Sequence, residues 1–253
     1  MLFFKRILGK SEPDVPPDRR IGIRFAVGVK FPVKVILNTQ GRDEMGQPLK
    51  SKDNFGWDWS GRLINLSFLG ARMQVPATMH AHLGDACKLK FELEGYQLTL
   101  PGSIIHISER RDSIVYGLQL DISDDESGRA YRQLVDLVAL GATLKPSQPA
   151  APDESSGYLL EQYAGEDRSR LDVWRDHASR SVVAFNFRLK HCWVRGLHGR
   201  AELEYFVDAK DESIQVAPEA QVAEIHRLFH WVVPNIATAV PSDVRDFLKK
   251  FAT

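Results

Sequence analysis

The chain has 253 residues, and its 33 basic side chains balance 33 acidic ones, giving a formal net charge of zero. Without a global field there is no expectation of broad binding to duplex DNA or to an anionic membrane, so any basic site must be local. The length suits two small domains with separate cores. Cys87 and Cys192 alone make neither a disulfide framework nor a paired-cysteine zinc site, which points to reduced thiols and a cytoplasmic protein.

Residues 1–8 (MLFFKRIL) are apolar with two positive charges, Lys5 and Arg6. The run is far shorter than the roughly 20 residues of a membrane span, so neither a secretory signal nor a transmembrane helix is expected. It is also too short to hold a membrane surface by itself. Residues 9–18 carry Ser11, Pro13, Pro16 and Pro17, which cannot continue a helix, and predict an extended N-terminal arm over 1–17. Arg19, Arg20 and Arg24 follow where that arm meets the fold.

Between Phe25 and Leu120 short alternating runs are punctuated by turns, as in Phe31, Val33 and Val35, or Leu89, Phe91 and Leu93. Five or six such strands predict a small antiparallel barrel. A polar stretch over 38–59, with Gly41, Gly46, Pro48 and Gly56, reads as a long hairpin loop. Asn65-Leu66-Ser67-Phe68-Leu69-Gly70 lies in a strand and the turn that ends it. Ser123-Asp124-Asp125-Glu126 has the form of a capping box opening a helix, in which Tyr131, Leu134, Val135 and Val138 recur at helical spacing. Gly141 stands where a left-handed C-terminal cap is expected.

Residues 145–156 (KPSQPAAPDESS) contain three prolines and no large apolar residue, and read as a solvated linker between domains at 18–144 and 157–253. Beyond it, Val183, Phe185, Phe187 and Leu189 alternate as a half-buried strand does, with residues 201–207 as a partner. Pro218 opens a helix with Val222, Ile225, Phe229 and Val232 on one face. Ser242 is placed to cap another that carries Val244, Phe247, Leu248 and Phe251. The second half is therefore a small α+β unit.

Arg20-Ile21-Gly22-Ile23-Arg24 and Asn65-Leu66-Ser67-Phe68-Leu69-Gly70 match the RxxxR and [D/N]xSxxG pair of PilZ domains, and the region 18–140 resembles that family. Tyr116-Gly117-Leu118 is similar to its last-strand element, and the helix follows in the family's order. The resemblance implies a six-stranded antiparallel barrel with a C-terminal helix. It also implies a bacterial receptor for cyclic di-GMP, with no enzymatic step and no other cofactor. Arg20 and Arg24 would take phosphates and guanine faces, since a planar guanidinium both forks to phosphate oxygens and stacks on a purine. Asn65 would accept from a guanine N–H, Ser67 would supply a small hydroxyl, and Gly70 would permit a close or left-handed backbone. An arginine at the Arg19 position is associated in the family with an intercalated nucleotide pair. Arg72, on the same side of the strand as Gly70, adds a further phosphate or base contact. Two features depart from the pattern: the long 38–59 loop, and Leu120 where an aromatic residue is common.

A receptor of this kind changes conformation on binding and signals to a protein partner through the C-terminal domain. The alternative is a PilZ-like docking module without nucleotide affinity, and the full arginine and Asn/Ser/Gly sets weigh against it. Other candidates carry less. His226 and His230 share a helical face but have no third ligand, His80 and His82 form an isolated pair, and His191-Cys192 neighbours on a strand point to opposite faces. Trp174, Trp193 and Trp231 read as core or as interface anchors.

Overall fold

The computed structural model describes residues 22–40, 45, 47, 55–123, 125–153, 157–209 and 213–252. Arg19 and Arg20, the arm over 1–17 and most of the 38–59 loop lie outside them. The described chain divides into two compact units between Val135 and Asp136.

In the first unit, alternating sequences produce strands β1 (Phe25–Ala26), β2 (Val33–Gln40), β3 (Phe55–Ser67), β4 (Gly70–Pro76), β5 (Ala86–Leu93), β6 (Tyr96–Arg110) and β7 (Ser113–Leu120). The pairing runs β1-β3-β2-β5-β6-β7-β4, and β4 returns to β3, which closes β2 through β7 into a six-stranded antiparallel barrel. Closure removes the free edges that an open sheet would expose. In β5, Cys87, Leu89, Phe91 and Leu93 alternate inward and are each at most 2% exposed, as the period of two requires. Leu66, Ala71, Ile104 and Leu118 are buried likewise, which turns their sequence neighbours to the outer face.

Helix α1 (Glu126–Ala142) follows the barrel. Its cap is Asp125, not Ser123: the Asp125 carboxylate accepts from the Gly128 amide at 2.8 Å. That bond, seconded by the Ser123 hydroxyl, holds the carboxyl below the usual carboxylate range. The cap falls two residues later than the serine, and the residue that meets it is a glycine for a steric reason: a Cβ at Gly128 would lie 1.8 Å from the Ser123 carbonyl oxygen. Gly141 does not end the helix in a left-handed turn. It sits inside α1 at a close approach, where a Cβ would come 2.9 Å from the Val232 carbonyl oxygen.

The second unit holds a seven-stranded sheet in simple meander order. Its strands are β8 (Lys145–Pro152), β9 (Leu159–Ala164), β10 (Arg170–Arg175), β11 (Val182–Leu189), β12 (Cys192–Leu197), β13 (Glu204–Asp208) and β14 (Ile214–Val216). The stretch read as a linker is thus partly a strand. β8 pairs with β9 in a register broken twice, and all eight of its residues are exposed. Proline tolerates such a place because an edge position needs no amide hydrogen on its open side.

Helices α2 (Glu219–Val232) and α3 (Ser242–Lys249) complete the second core. Pro218 precedes α2 as expected, whereas Ser242 is the first residue of α3 and makes no capping bond. Phe185 stacks on Phe229 with ring centroids 5.7 Å apart and meets Phe247 edge-on at 6.1 Å. Gly196 on the neighbouring strand makes room, since a Cβ there would lie 2.3 Å from the Phe185 ring. Two buried cations are neutralised locally. Lys190 lies 3.3 Å from Asp167 and 3.8 Å from Asp136, while Arg175 pairs with Glu161 and with Asp243 at the start of α3.

Candidate functional site

The motif residues are set by the hairpin between β3 and β4. Ser67 pairs with Gly70 across the two-residue turn Phe68-Leu69, and Asn65 pairs with Arg72 two residues further along. Side chains directly opposite on neighbouring strands share a face. Asn65, Ser67, Gly70 and Arg72 therefore open onto the outside of the barrel, while Leu66 and Ala71 point inward.

The turn is braced from several directions. Phe68 packs edge-on against Phe25 at 6.4 Å, the Leu69 carbonyl accepts from the Leu120 amide at 2.9 Å, and the Ser67 hydroxyl donates to the Gly70 carbonyl at 3.2 Å. Gly70 owes its identity to crowding and not to a left-handed φ. A Cβ on it would stand 2.1 Å from the Leu118 carbonyl oxygen.

Strand β1 delivers Arg24. Phe25 pairs with Leu66 and Ala26 with Asn65, and this antiparallel register brings Arg24 alongside Ser67 on the outer face. Arg24, Asn65, Ser67, Gly70 and Arg72 consequently line one cleft of about 660 Å³, a volume typical of small-ligand sites. Its described lining carries the Arg24 and Arg72 guanidiniums and no carboxylate, so the local field favours an anion. The Arg72 Nε is shielded from solvent and has no acceptor among the described residues. An unsatisfied buried donor costs about 1–3 kcal/mol.

A family model for the PilZ domain matches residues 18–140. This part of the chain is a PilZ domain. No curated protein matches the sequence. Among solved structures, the Borreliella burgdorferi PlzA protein in complex with c-di-GMP aligns with 93% of this chain and 96% of that chain, at 9% identity and a TM-score of 0.32.

The PilZ cleft also contains residues that the motifs do not mark. Ile105, His106 and Gln119 complete its lining from β6 and β7. Gly70 pairs with Gln119 and Arg72 with Gly117, and Gly117 in turn pairs with His106. The only sequence signal for these positions was the Tyr116-Gly117-Leu118 element, which gave no pairing partner.

His226 and His230 each have a partner within the second unit. His226 Nδ1 lies 2.7 Å from the Tyr205 hydroxyl and His230 Nδ1 lies 2.6 Å from the Ala252 carbonyl. Among the described residues, no cluster of three or more His, Cys, Asp or Glu side chains could hold a metal ion. Cys192 is buried, and burial pushes its thiol up to about 12, far from the range of a thiolate nucleophile. Of the tryptophans, Trp231 is fully buried and Trp193 nearly so, with its indole donating to Asp208 at 2.8 Å. No helix among the described residues is long and apolar enough to cross a membrane.

Proposed function

We propose that this protein is a cyclic di-GMP receptor that acts by binding and not by catalysis. The observation that carries the reading is the convergence of Arg24, Asn65, Ser67, Gly70 and Arg72 on one cationic cleft of a PilZ domain. The ligand presents two phosphodiesters and two guanines. Arg24 donates to phosphate oxygens in a charge-assisted fork, and Asn65 and Ser67 meet a guanine edge from the hairpin. Gly70 keeps the backbone low enough for that approach. Arg20 supplies the second family guanidinium. Arg19 favours an intercalated pair of nucleotides and a stoichiometry near two.

Binding changes the conformation of the chain, which acts in the cytoplasm. The signal passes to a protein partner through residues 157–253. Ligand can shift such an equilibrium only by its difference in affinity for the two states. Unchanged small-angle scattering and unchanged exchange protection of residues 9–30 at saturation would remove the conformational part of the proposal.

Isothermal titration with cyclic di-GMP tests the binding itself. Loss of the charged contact in Arg24→Ala costs at least about 1.5–3 kcal/mol, or roughly tenfold or more in affinity. Absence of heat with the wild-type chain would instead favour a docking module without a nucleotide.

A further inference from the structure

We propose that Arg72 reads the Hoogsteen edge of a guanine lying over Gly117, with His106 as the wall on the far side. The inference rests on the cyclic di-GMP reading and assigns part of that same cleft. Strand register builds the subsite. Asn65 pairs with Arg72, Arg72 with Gly117, and Gly117 with His106, so four strands contribute one row on the outer face. Arg72 and His106 stand two strands apart, roughly 10 Å between backbones, and the position between them has no side chain. Gly117 holds that gap open, because a Cβ there would reach within 2.9 Å of the His106 Cβ.

A β-bulge aims the far wall. Pairing slips between Ile104 and His106, leaving Ile105 as the extra residue, and both Ile105 and His106 line the cleft. Bulges beside sites commonly re-aim a side chain in this way. Ile105 is 52% exposed and apolar, suited to the face of a base or sugar, and imidazole is a flat group able to stack on a purine.

Arg72 supplies the edge recognition. Its Nε–H is buried and lacks an acceptor among the described residues. The Nε–H and a neighbouring Nη–H point the same way and demand two acceptors side by side. Guanine O6 and N7 present that pair, whereas adenine presents N7 beside an N6 amino donor, which opposes one of the two hydrogens. Arg72 is thereby a specificity-determining residue for guanine. Two phosphate oxygens would satisfy the same fork without discriminating bases.

The two chemistries separate by titrating cyclic di-GMP and cyclic di-AMP into the full chain, into Arg72→Lys and into His106→Ala. Lysine retains the charge and loses the fork. The wild type should prefer the all-guanine ligand roughly tenfold or more. Arg72→Lys should weaken cyclic di-GMP by a similar factor and lower the preference severalfold, with an unchanged unfolding midpoint. His106→Ala, on an exposed side chain, should weaken the guanine ligand severalfold. An Arg72→Lys chain that binds both ligands more weakly but with the wild-type preference would show a phosphate contact and overturn the assignment. Full affinity in His106→Ala would remove the wall. Wild-type protein that binds neither ligand would sink the receptor reading itself, a result distinct from the loss of the subsite alone.

Discussion

The Tyr131 hydroxyl on α1 lies 2.9 Å from the Gly70 carbonyl oxygen, so the helix after the barrel holds the hairpin that bears the motif. The same hydroxyl is 3.0 Å from the Ser67 carbonyl. Tyr131 is fully buried, its ring 5.8 Å from that of Phe91, and burial drives its hydroxyl well above the usual phenolic range. Tyr131→Phe removes the donor and keeps the ring. The expected cost is about 1–3 kcal/mol, from a lost hydrogen bond and carbonyls left buried. Denaturant unfolding reads the stability, and nucleotide titration should show weaker binding, because the hairpin loses its anchor.

Gly70→Ala tests whether the glycine serves space. Its Cβ would meet the Leu118 carbonyl at 2.1 Å, a backbone atom that cannot swing away. Overpacking of this kind costs typically about 1–3 kcal/mol. A lower midpoint in urea is the expected outcome, whereas an unchanged one would mean that β4 and β7 part easily there.

Acid should loosen the second unit through Asp243. The Arg175 guanidinium beside it holds the Asp243 carboxyl below the usual carboxylate range. A depressed folded value contributes stability above the unfolded carboxylate value of about 3.9, and that contribution disappears as pH falls through the folded value. Asp243→Asn should therefore melt below wild type at pH 7, and the gap should close as pH drops under about 4. Calorimetric scans across this range supply the comparison, and a gap that persists at the lowest pH would exclude the ion pair as its cause.

Both thiols should resist alkylation in the native state. Cys87 and Cys192 are 1% and 2% exposed, and burial pushes each up to about 12. A thiol-reactive dye at pH 8 should label neither until denaturant is added, and then both. Fast native labelling would indicate local opening of β5 or β12.

Local chemistry is what the sequence conveys. The alternation of Leu89, Phe91 and Leu93 announces a strand, and the spacing of Asn65, Ser67 and Gly70 places three groups on one side of a hairpin. Arg72 follows from the same period of two. His106 and Gln119 could not be found this way, because their place in the cleft depends on which strands pair and in what register. The prolines of β8 misled for a different reason. They lower strand propensity, yet an edge position with one open side accepts them. At Gly141 a cap and a close helix approach call for the same residue, and only packing tells them apart. Ser123 and Asp125 both suit a helix start, and only the bond from the Gly128 amide to the Asp125 carboxylate shows which of them caps it.

Strand β8 also limits how the second sheet can meet other chains. Pro146, Pro149 and Pro152 offer no amide hydrogens, so an incoming strand would find a poor template for pairing. A fragment begun at residue 157 would discard this guard and bare the backbone of β9, which carries no proline. Such a piece invites self-association through its new edge. Dissection of the chain should therefore begin upstream of Lys145.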